Sequence, residues 1–191
     1  MTVVPGAELF ARDTPLRAIG NGITANAVSS DVVYRESESR ELRLDSEAMN
    51  FSDGNLRTSL AGKYTQRLLT WAHFTVDGIL DLAESRNSDN ENRPYYNPPQ
   101  DVLALAGVSI NQEIYRRYEF IYDHHLLITP GVYWEQGFGN GGAATVFYEH
   151  RLRINDVFEA GLGVSFSRQP YDGNYENTVA VLFNVRERFQ P

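Results

Sequence analysis

Histidines and carboxylates are the residues of this sequence best suited to catalysis or metal binding, and the histidines form no recognisable site. His124 and His125 are adjacent, so on a β-strand their side chains point to opposite faces and cannot chelate one metal ion. His73 and His150 fall on different predicted strands, and no spacing pairs them. The sequence has no G-x-S-x-G elbow, no H-E-x-x-H motif and no P-loop. We therefore predict no catalytic residue, no metal site and no cofactor.

The carboxylates are more numerous, and their spacing places pairs of them on one face. Asp77 and Asp81 project the same way from one predicted strand, and Glu149 and Glu159 lie on neighbouring predicted strands. A glycosidase needs two carboxylates at a defined separation. The same residues also suit a wetted wall, which is the interpretation we favour. The acidic segment 89–91 lacks EF-hand spacing, so we predict a solvated loop rather than a calcium site.

The collective placement of charge is more informative than any single pair. The polar faces of the predicted strands put carboxylates on one side of a sheet, interleaved with basic residues. The acidic residues are Asp77, Asp81, Glu135, Glu149, Glu159 and Glu176, and the basic ones are Arg57, Lys63, Arg151, Arg186 and Arg188. The chain has a net charge of −8. A low-dielectric wall around a channel would focus this negative charge and favour a cationic cargo.

Tyrosines accompany these charges and are candidates for contact with sugar rings. Tyr133 lies on the same predicted wall as the carboxylates, and Tyr95, Tyr96 and Tyr171 lie near the ends of strands, where the mouth of a channel would be. Aromatic rings could stack on sugars there. Tyr95 and Tyr96 could equally pack inside a loop or belong to an aromatic girdle, and the sequence leaves both interpretations open.

Most of these side chains lie on predicted β-strands, which are indicated by a period-two alternation of apolar and polar residues. It is clearest in the last stretch, Tyr175–Phe189, whose 15 residues exceed the roughly 5–6 residues of a soluble strand. A tilted bilayer-spanning strand needs about 9–11 residues plus flanks. The same alternation recurs along the chain and predicts an all-β antiparallel meander of about 9–10 long strands. They are predicted at 27–35, 41–48, 56–68, 71–85, 101–112, 119–135, 145–153, 157–168 and 175–189, with a short one around Glu8–Arg12.

The predicted connections also favour a membrane barrel. Segment 86–100 contains three prolines and no periodicity, and soluble hairpins rarely carry so long a loop. Outer-membrane barrels place long loops outside the cell and short turns in the periplasm. Segment 13–26 is predicted to be a loop, and Pro130, which lacks a ladder donor, predicts a local bulge.

Composition excludes several classes of protein. The 191 residues contain no cysteine, so there is no disulfide framework or thiolate metal site. A sequence pI near 5.0 argues against a nucleic-acid partner. No run approaches the roughly 18 apolar residues of a transmembrane helix. We predict one domain over residues 1–191. Because no basic-then-apolar signal opens the chain, we expect that Met1 is not the start of the precursor.

The sequence resembles the C-terminal barrel of the PgaA family of poly-β-1,6-N-acetyl-D-glucosamine export porins. The matching segments run along nearly the whole chain in the same order. They are T-P-L-R-A-x-x-x-G-I-T-A (14–25), E-S-R (38–40), F-S-D-G-N (51–55), S-R-N-S (85–88), Y-Y-N-P (95–98), G-V-Y-W-E-Q-G-F-G (131–139), Y-E-H (148–150) and Y-D-G-x-x-E (171–176). Each segment alone is weak, and together they are fairly specific.

The resemblance implies a 16-stranded barrel in the outer membrane of a Gram-negative cell. Such a barrel passes a partly de-N-acetylated, cationic glucosamine polymer to the cell surface for biofilm formation. The family implies further partners, namely outer-membrane lipid, a periplasmic polysaccharide deacetylase and the barrel assembly machinery, which reads a terminal aromatic such as Phe189. Family members also carry an N-terminal helical-repeat domain, which nothing in this sequence matches, and about nine strands fall short of sixteen.

Two other classes of function stay open at this point. One is an outer-membrane barrel enzyme, such as a lipase or a sugar-modifying hydrolase, which would need a Ser–His pair or a carboxylate pair converging at the membrane edge or mouth. The other is a soluble ligand-binding β-barrel, which would partition into buffer rather than detergent.

Overall fold

Ten β-strands form one antiparallel sheet in which each strand pairs with its neighbours in sequence. The computed structural model describes residues 2–8, 15–89, 93–155 and 157–188. The strands are β1 (Thr2–Glu8), β2 (Ala25–Ser37), β3 (Arg40–Phe51), β4 (Leu56–Trp71), β5 (Phe74–Asn87), β6 (Gln100–Arg117), β7 (Phe120–Glu135), β8 (Gly139–Ile154), β9 (Phe158–Tyr171) and β10 (Asn174–Glu187). One short helix, α1 (Leu16–Gly20), precedes β2.

The nine long strands predicted from alternation are confirmed, with ends that shift by several residues in places. The largest shifts are at the start of β8 and the end of β6, where glycines and a bulge conceal the alternation. The opening strand is Thr2–Glu8 rather than Glu8–Arg12, and residues 9–12 lie outside the described ranges.

The predicted loop 13–26 contains α1, which the alternation could not reveal. Pro15 stands just before the helix, and Gly22, with a φ of +75°, follows its end. Ala18 is fully buried against a small apolar cluster that includes Phe51 and Tyr95. Packing therefore holds a helix that is too short to be stable alone.

The two ends of the sheet carry different connections. At one end, residues 38–39, 72–73 and 118–119 are tight two-residue turns, and we call this the turn end. At the other end, which we call the loop end, lie α1 and the connection between Asn87 and Gln100. No helix in the described part of the chain is long and apolar enough to span a membrane.

The two faces of the sheet differ in chemistry. We call the face that carries Tyr133 and Glu135 the inner face and the face that carries Val181 and Phe183 the outer face. Tyr133 is 1% exposed, whereas Phe183 is 73% exposed and Val181 71%. Polar residues dominate the inner face and large apolar residues the outer one, as in a strand with lipid on one side.

Pro130 causes no bulge, contrary to the prediction from its missing N–H group. The register of β6 and β7 is the same on both sides of it, since Leu105 pairs with Gly131 and Val108 with Ile128. Only the two positions between these pairs are unpaired in the ladder. A Cβ on Gly107 would lie 1.9 Å from the Ile128 carbonyl oxygen, so glycine lets the two strands close up beside the proline.

The register shifts occur elsewhere, at the turn end. They fall between Arg35 and Ser37, between Arg67 and Leu69, and between Glu113 and Tyr115. Bulges of this kind increase the local twist of a strand. Among the described residues no ladder joins β1 to β10, so both of these strands are edges of the sheet.

Candidate functional site

The register of the ladders places the carboxylates singled out in the sequence on the inner face. Asp77 pairs with Ser109, Glu149 with His125 and Glu176 with Gln169, in rows that cross the same side of the sheet. Residues that pair directly across antiparallel strands share a face. The six positions are Asp77, Asp81, Glu135, Glu149, Glu159 and Glu176, and they extend from the turn end to the loop end.

On β2–β5 five inner-face carboxylates lie in ion pairs with cations on the same or adjacent strands. Arg43 lies 2.5 Å from Asp31 and 3.2 Å from Asp45, and Lys63 Nζ lies 3.7 Å from Asp81. The full set of pairs is Arg35–Glu41, Arg43–Asp31, Arg43–Asp45, Lys63–Asp81 and Arg67–Asp77. Asp77 and Asp81 therefore each have a cation beside them, which offsets much of their negative field.

On β7–β10 three carboxylates lack such a cation. Among the described residues Glu135, Glu149 and Glu176 form no ion pair with a lysine or arginine, and neither residue type is their direct partner in a ladder. Within the same ranges Glu159 likewise forms no ion pair, but it has arginines as direct cross-strand partners. Arg151 is close to Glu149 along β8, but its Nε atom donates to Asp123 at 2.6 Å and its Nη2 atom donates to an amide. The negative charge of these three carboxylates is thus uncompensated.

Glu149 is held from the far side of β9. The Asn184 amide on β10 donates to Glu149 Oε1 at 3.0 Å, so the contact spans an intervening strand. A Cβ on Gly161 of β9 would lie 2.6 Å from both the carboxylate oxygen and the amide nitrogen. The absence of a side chain at Gly161 is therefore what allows this contact.

Glu159 lies in different surroundings at the turn end. It pairs in register with Arg153 on one side and Arg186 on the other. These residues and Arg188 line a cavity of about 260 Å³. The basic neighbours make this end of β8–β10 the less negative one.

Glu135 is the most buried of the six carboxylates. It is 2% exposed, and its Oε2 atom accepts a hydrogen bond from the Asp172 backbone N–H at 3.0 Å. Its Oε1 atom has no hydrogen-bond partner among the described residues. A buried oxygen without a partner costs roughly 1–3 kcal/mol, so the burial of this carboxylate is unfavourable for stability.

Three of the four candidate tyrosines meet beside Glu135 at the loop end. The hydroxyl groups of Tyr96 and Tyr133 lie 2.6 Å apart, and the ring of Tyr171 meets that of Tyr96 edge to face at 4.9 Å. Burial, together with the hydrogen bond to Tyr133, raises the pKa of Tyr96 well above its ordinary value. Tyr96 is consequently a neutral phenol at any physiological pH.

Tyr95 packs inside its loop, which decides between the two interpretations of this residue. It is 5% exposed and stacks on Phe51 at a centroid distance of 4.9 Å. Its hydroxyl donates to Asp53 at 3.1 Å and accepts from Asn55 at 3.2 Å. Burial raises the pKa of Tyr95. Its ring is therefore not free to stack on a sugar.

A cavity of about 440 Å³ opens beside these tyrosines. Its walls are the start of α1, the loop residues Arg93 to Tyr96, and Tyr171, Asp172 and Glu176 from β9–β10. Because β2 and β9 are far apart in the order of the sheet, this shared cavity requires that the sheet curves around its inner face. Sequence reasoning missed α1 and Arg93, which pairs with Asp53 and Asp89.

A Ser–His pair occurs on the inner wall, although it lacks the rest of a hydrolytic site. Ser109 Oγ lies 3.0 Å from His125 Nε2. In the described ranges no carboxylate forms a hydrogen bond with His125, and both residues sit within regular ladders that use the backbone N–H groups an oxyanion hole would need. No group of three or more metal-ligating side chains is present in the described part of the chain.

The profile of the PgaA membrane β-barrel domain matches residues 2–189. The chain belongs to this family. It is 27% identical over 182 residues to the poly-beta-1,6-N-acetyl-D-glucosamine export proteins of Escherichia coli K12 and O157:H7. The match covers 95% of this chain and 22% of each relative, so the chain spans about a fifth of their length.

The fold agrees with a solved structure described as a bacterial polysaccharide outer membrane secretin. The TM-score is 0.94 at 26% identity, over 98% of this chain and 64% of that one. The predicted fold class, the family resemblance and the outer-membrane location are thereby confirmed. The sheet is a portion of an outer-membrane β-barrel, and the soluble-barrel alternative has no support. In such barrels long loops are extracellular and short turns periplasmic, which orients the loop end outwards.

Proposed function

We propose that this chain forms part of the pore through which poly-β-1,6-N-acetyl-D-glucosamine crosses the outer membrane. The observation that carries the proposal is the set of uncompensated carboxylates on the inner face of a sheet whose family and relatives are those of an export protein. Removal of acetyl groups exposes amines, which are cations at neutral pH. The wall therefore has the charge that attracts a partly deacetylated polymer.

The three uncompensated carboxylates form a path along β7–β10. Glu149 lies five residues from the turn end of its strand, whereas Glu135 and Glu176 lie near the loop end. Glu135 is 2% exposed, so it would act through its charge from within the wall and not by direct contact with the sugar. Asp77, Asp81 and Glu159 belong to the same wall but contribute less, since a cation already stands beside each of them.

The tyrosines at the loop end would contact the sugar rings of the emerging polymer. Tyr96 and Tyr171 line the mouth cavity, and Tyr133 lies behind them and fixes the Tyr96 hydroxyl. Aromatic rings bind the apolar faces of sugars without a net charge requirement. Acetylated and deacetylated units would therefore both be retained briefly at the exit.

The role is passive, and the chain catalyses no reaction. The Ser109–His125 pair lacks an orienting carboxylate, as described above, and the relatives are named as export proteins. We extend the proposal to two partners, a periplasmic polysaccharide deacetylase that supplies the cargo and the machinery that inserts outer-membrane barrels. Residues 1–191 act within the barrel as one domain.

Neutralising the three uncompensated carboxylates tests the electrostatic part of this function. In the triple variant E135Q/E149Q/E176Q, export of deacetylated polymer should fall more than export of fully acetylated polymer. One charge at about 4 Å is worth roughly 1 kcal/mol in water, so a loss of more than tenfold is expected for the three together. Polymer at the cell surface would be quantified for strains with and without deacetylation.

The variant K63M/D81N is the matched control, because it removes an ion pair from the same wall without changing the net charge. Its export of either polymer should stay near the wild-type level. Equal losses of acetylated and deacetylated polymer in the triple variant would contradict the electrostatic role.

A further inference from the structure

Four polar aromatic residues form a cluster on the mainly apolar outer face. They are Tyr122 and His124 on β7 and Tyr148 and His150 on β8. His124 pairs directly with His150, and the centroids of their rings lie 4.3 Å apart. The next pairs along the same face are apolar, as in Ile128 with Val146. The cluster therefore interrupts the surface that faces lipid.

A chain of hydrogen bonds links the four residues. The Tyr148 hydroxyl lies 2.9 Å from His124 Nδ1, His124 Nε2 lies 3.1 Å from the Tyr122 hydroxyl, and that hydroxyl lies 2.6 Å from His150 Nδ1. Each phenol and each neutral imidazole has one proton to donate. If the chain runs from Tyr148 to His150, the Nε2–H of His150 is left over. If it runs the other way, the Tyr148 O–H is left over. One donor thus remains unused in either direction.

The cluster lies at a defined depth near the turn end. His124 is four residues from the start of β7, and His150 is four residues from the end of β8. With a rise of about 3.4 Å per residue and a tilt of about 45°, the rings stand roughly 10 Å from the periplasmic turns. This is the boundary between the headgroups and the acyl chains of the periplasmic leaflet. An unpaired donor is costly there because water is scarce.

The surroundings of the cluster suit a lipid. The outer-face row through His124 and His150 continues to Gln112 on β6, and to Leu162 and then Phe183 on β9 and β10. None of these neighbours carries a negative charge that would repel an anion. Leu162 and Phe183 are exposed and offer an apolar surface beside the donor.

We propose that Tyr122, His124, Tyr148 and His150 bind the phosphodiester group of one phospholipid in the periplasmic leaflet. The phosphate oxygens accept the leftover proton of the chain, and the acyl chains lie along Leu162 and Phe183. The site is on the opposite face from the pore wall. The proposal rests on the membrane-barrel fold and not on the proposed export function.

The test compares H150Q with H150L in the full-length protein purified from membranes, both in a Tyr148→Phe background that removes the donor at the other end of the hydrogen-bond chain. Glutamine keeps an N–H donor near the position of the histidine Nε2 atom, whereas leucine does not. After extensive detergent washing, phospholipid retained per protein would be counted by mass spectrometry. Wild type and H150Q should each retain about one phospholipid more than H150L. The variant H73L is the control, because His73 is exposed at the same end but pairs with Glu113 outside the cluster.

Two further arms complete the test. Spin-labelled diacylglycerol, which has no phosphate, should bind wild type no better than it binds H150L, and an excess of inorganic phosphate should not displace the retained lipid. Equal phospholipid retention by H150Q and H150L, or by wild type and H150L, would overturn the proposal. Displacement by inorganic phosphate would also overturn it, since it would show a small-anion site instead.

Discussion

The two halves of the inner face, β2–β5 and β7–β10, have the same alternation and similar residue types but different electrostatics. On β2–β5 each of Asp77 and Asp81 has a cation as its cross-strand neighbour. On β7–β10 the arginine nearest to Glu149 is engaged by Asp123 instead. Exposed ion pairs contribute only about 0–1 kcal/mol to stability. The difference between the halves therefore concerns the electric field at the inner face rather than the stability of the sheet.

The seam between the halves should be the most sensitive position in the sheet. In Gly107→Ala the new Cβ would lie 1.9 Å from the Ile128 carbonyl oxygen and 2.7 Å from the Thr129 Cα atom, both of which belong to the backbone. Overpacking of this kind typically costs about 1–3 kcal/mol, and a backbone clash should fall at the top of that range. Urea unfolding of the protein in detergent would measure the loss.

Gly62→Ala is the matched control within β4. A Cβ there would lie 3.3 Å from Leu44 Cδ2, the end of a flexible side chain. Its free energy of unfolding should change by less than about 1 kcal/mol. If both alanine variants lost the same stability, the close approach of β6 and β7 would not be the cause.

Gly161→Ala should have an intermediate effect, confined to the half with uncompensated charge. The new Cβ would displace Asn184 from Glu149, but both side-chain ends can move, so the strands need not. We expect a cost of about 1 kcal/mol, the value of one hydrogen bond. The double variant G161A/N184A should be less stable than N184A by at most a few tenths of a kcal/mol. Additive losses in urea unfolding would show that the glycine acts in some other way.

Lys63→Met should have the smallest effect on stability. It makes the inner face more negative, whereas replacing carboxylates by amides makes it less negative. It leaves Asp81 without its cation, so β4–β5 would come to resemble β7–β10. The side chains are 44% and 28% exposed, and a pair of this kind is worth only about 0–1 kcal/mol. Thermal unfolding should hardly change, while the cation preference of the reconstituted pore should rise. An unchanged cation preference would mean that Asp81 does not face the conducting path.

Alternation alone is enough to predict the long strands and which residues share the inner face, because period two is a local property of the sequence. What it could not provide depends on register. The neighbouring strand decides whether Asp81 or Glu149 meets a cation. The close approach of β6 and β7 beside Pro130 likewise depends on Gly107, which is distant from Pro130 in sequence.

The loop end was less predictable for a related reason. Helix α1 has five residues, too few to show a helical period, and it is held by contacts with Phe51 and Tyr95. The prolines of segment 86–100 predicted a loop correctly but gave no indication that Tyr95 turns inwards while Tyr96 meets Tyr133. Tertiary contacts between loops leave no periodic trace in a sequence.

Ion selectivity of the purified, full-length protein in a planar bilayer tests the central claim most directly. The reversal potential under a salt gradient should show a cation preference that falls strongly in E135Q/E149Q/E176Q and is unchanged in K63M/D81N. A triple variant with the wild-type reversal potential, or a control variant that shifts it as much, would contradict the claim that the carboxylates of β7–β10 carry the uncompensated field of this wall.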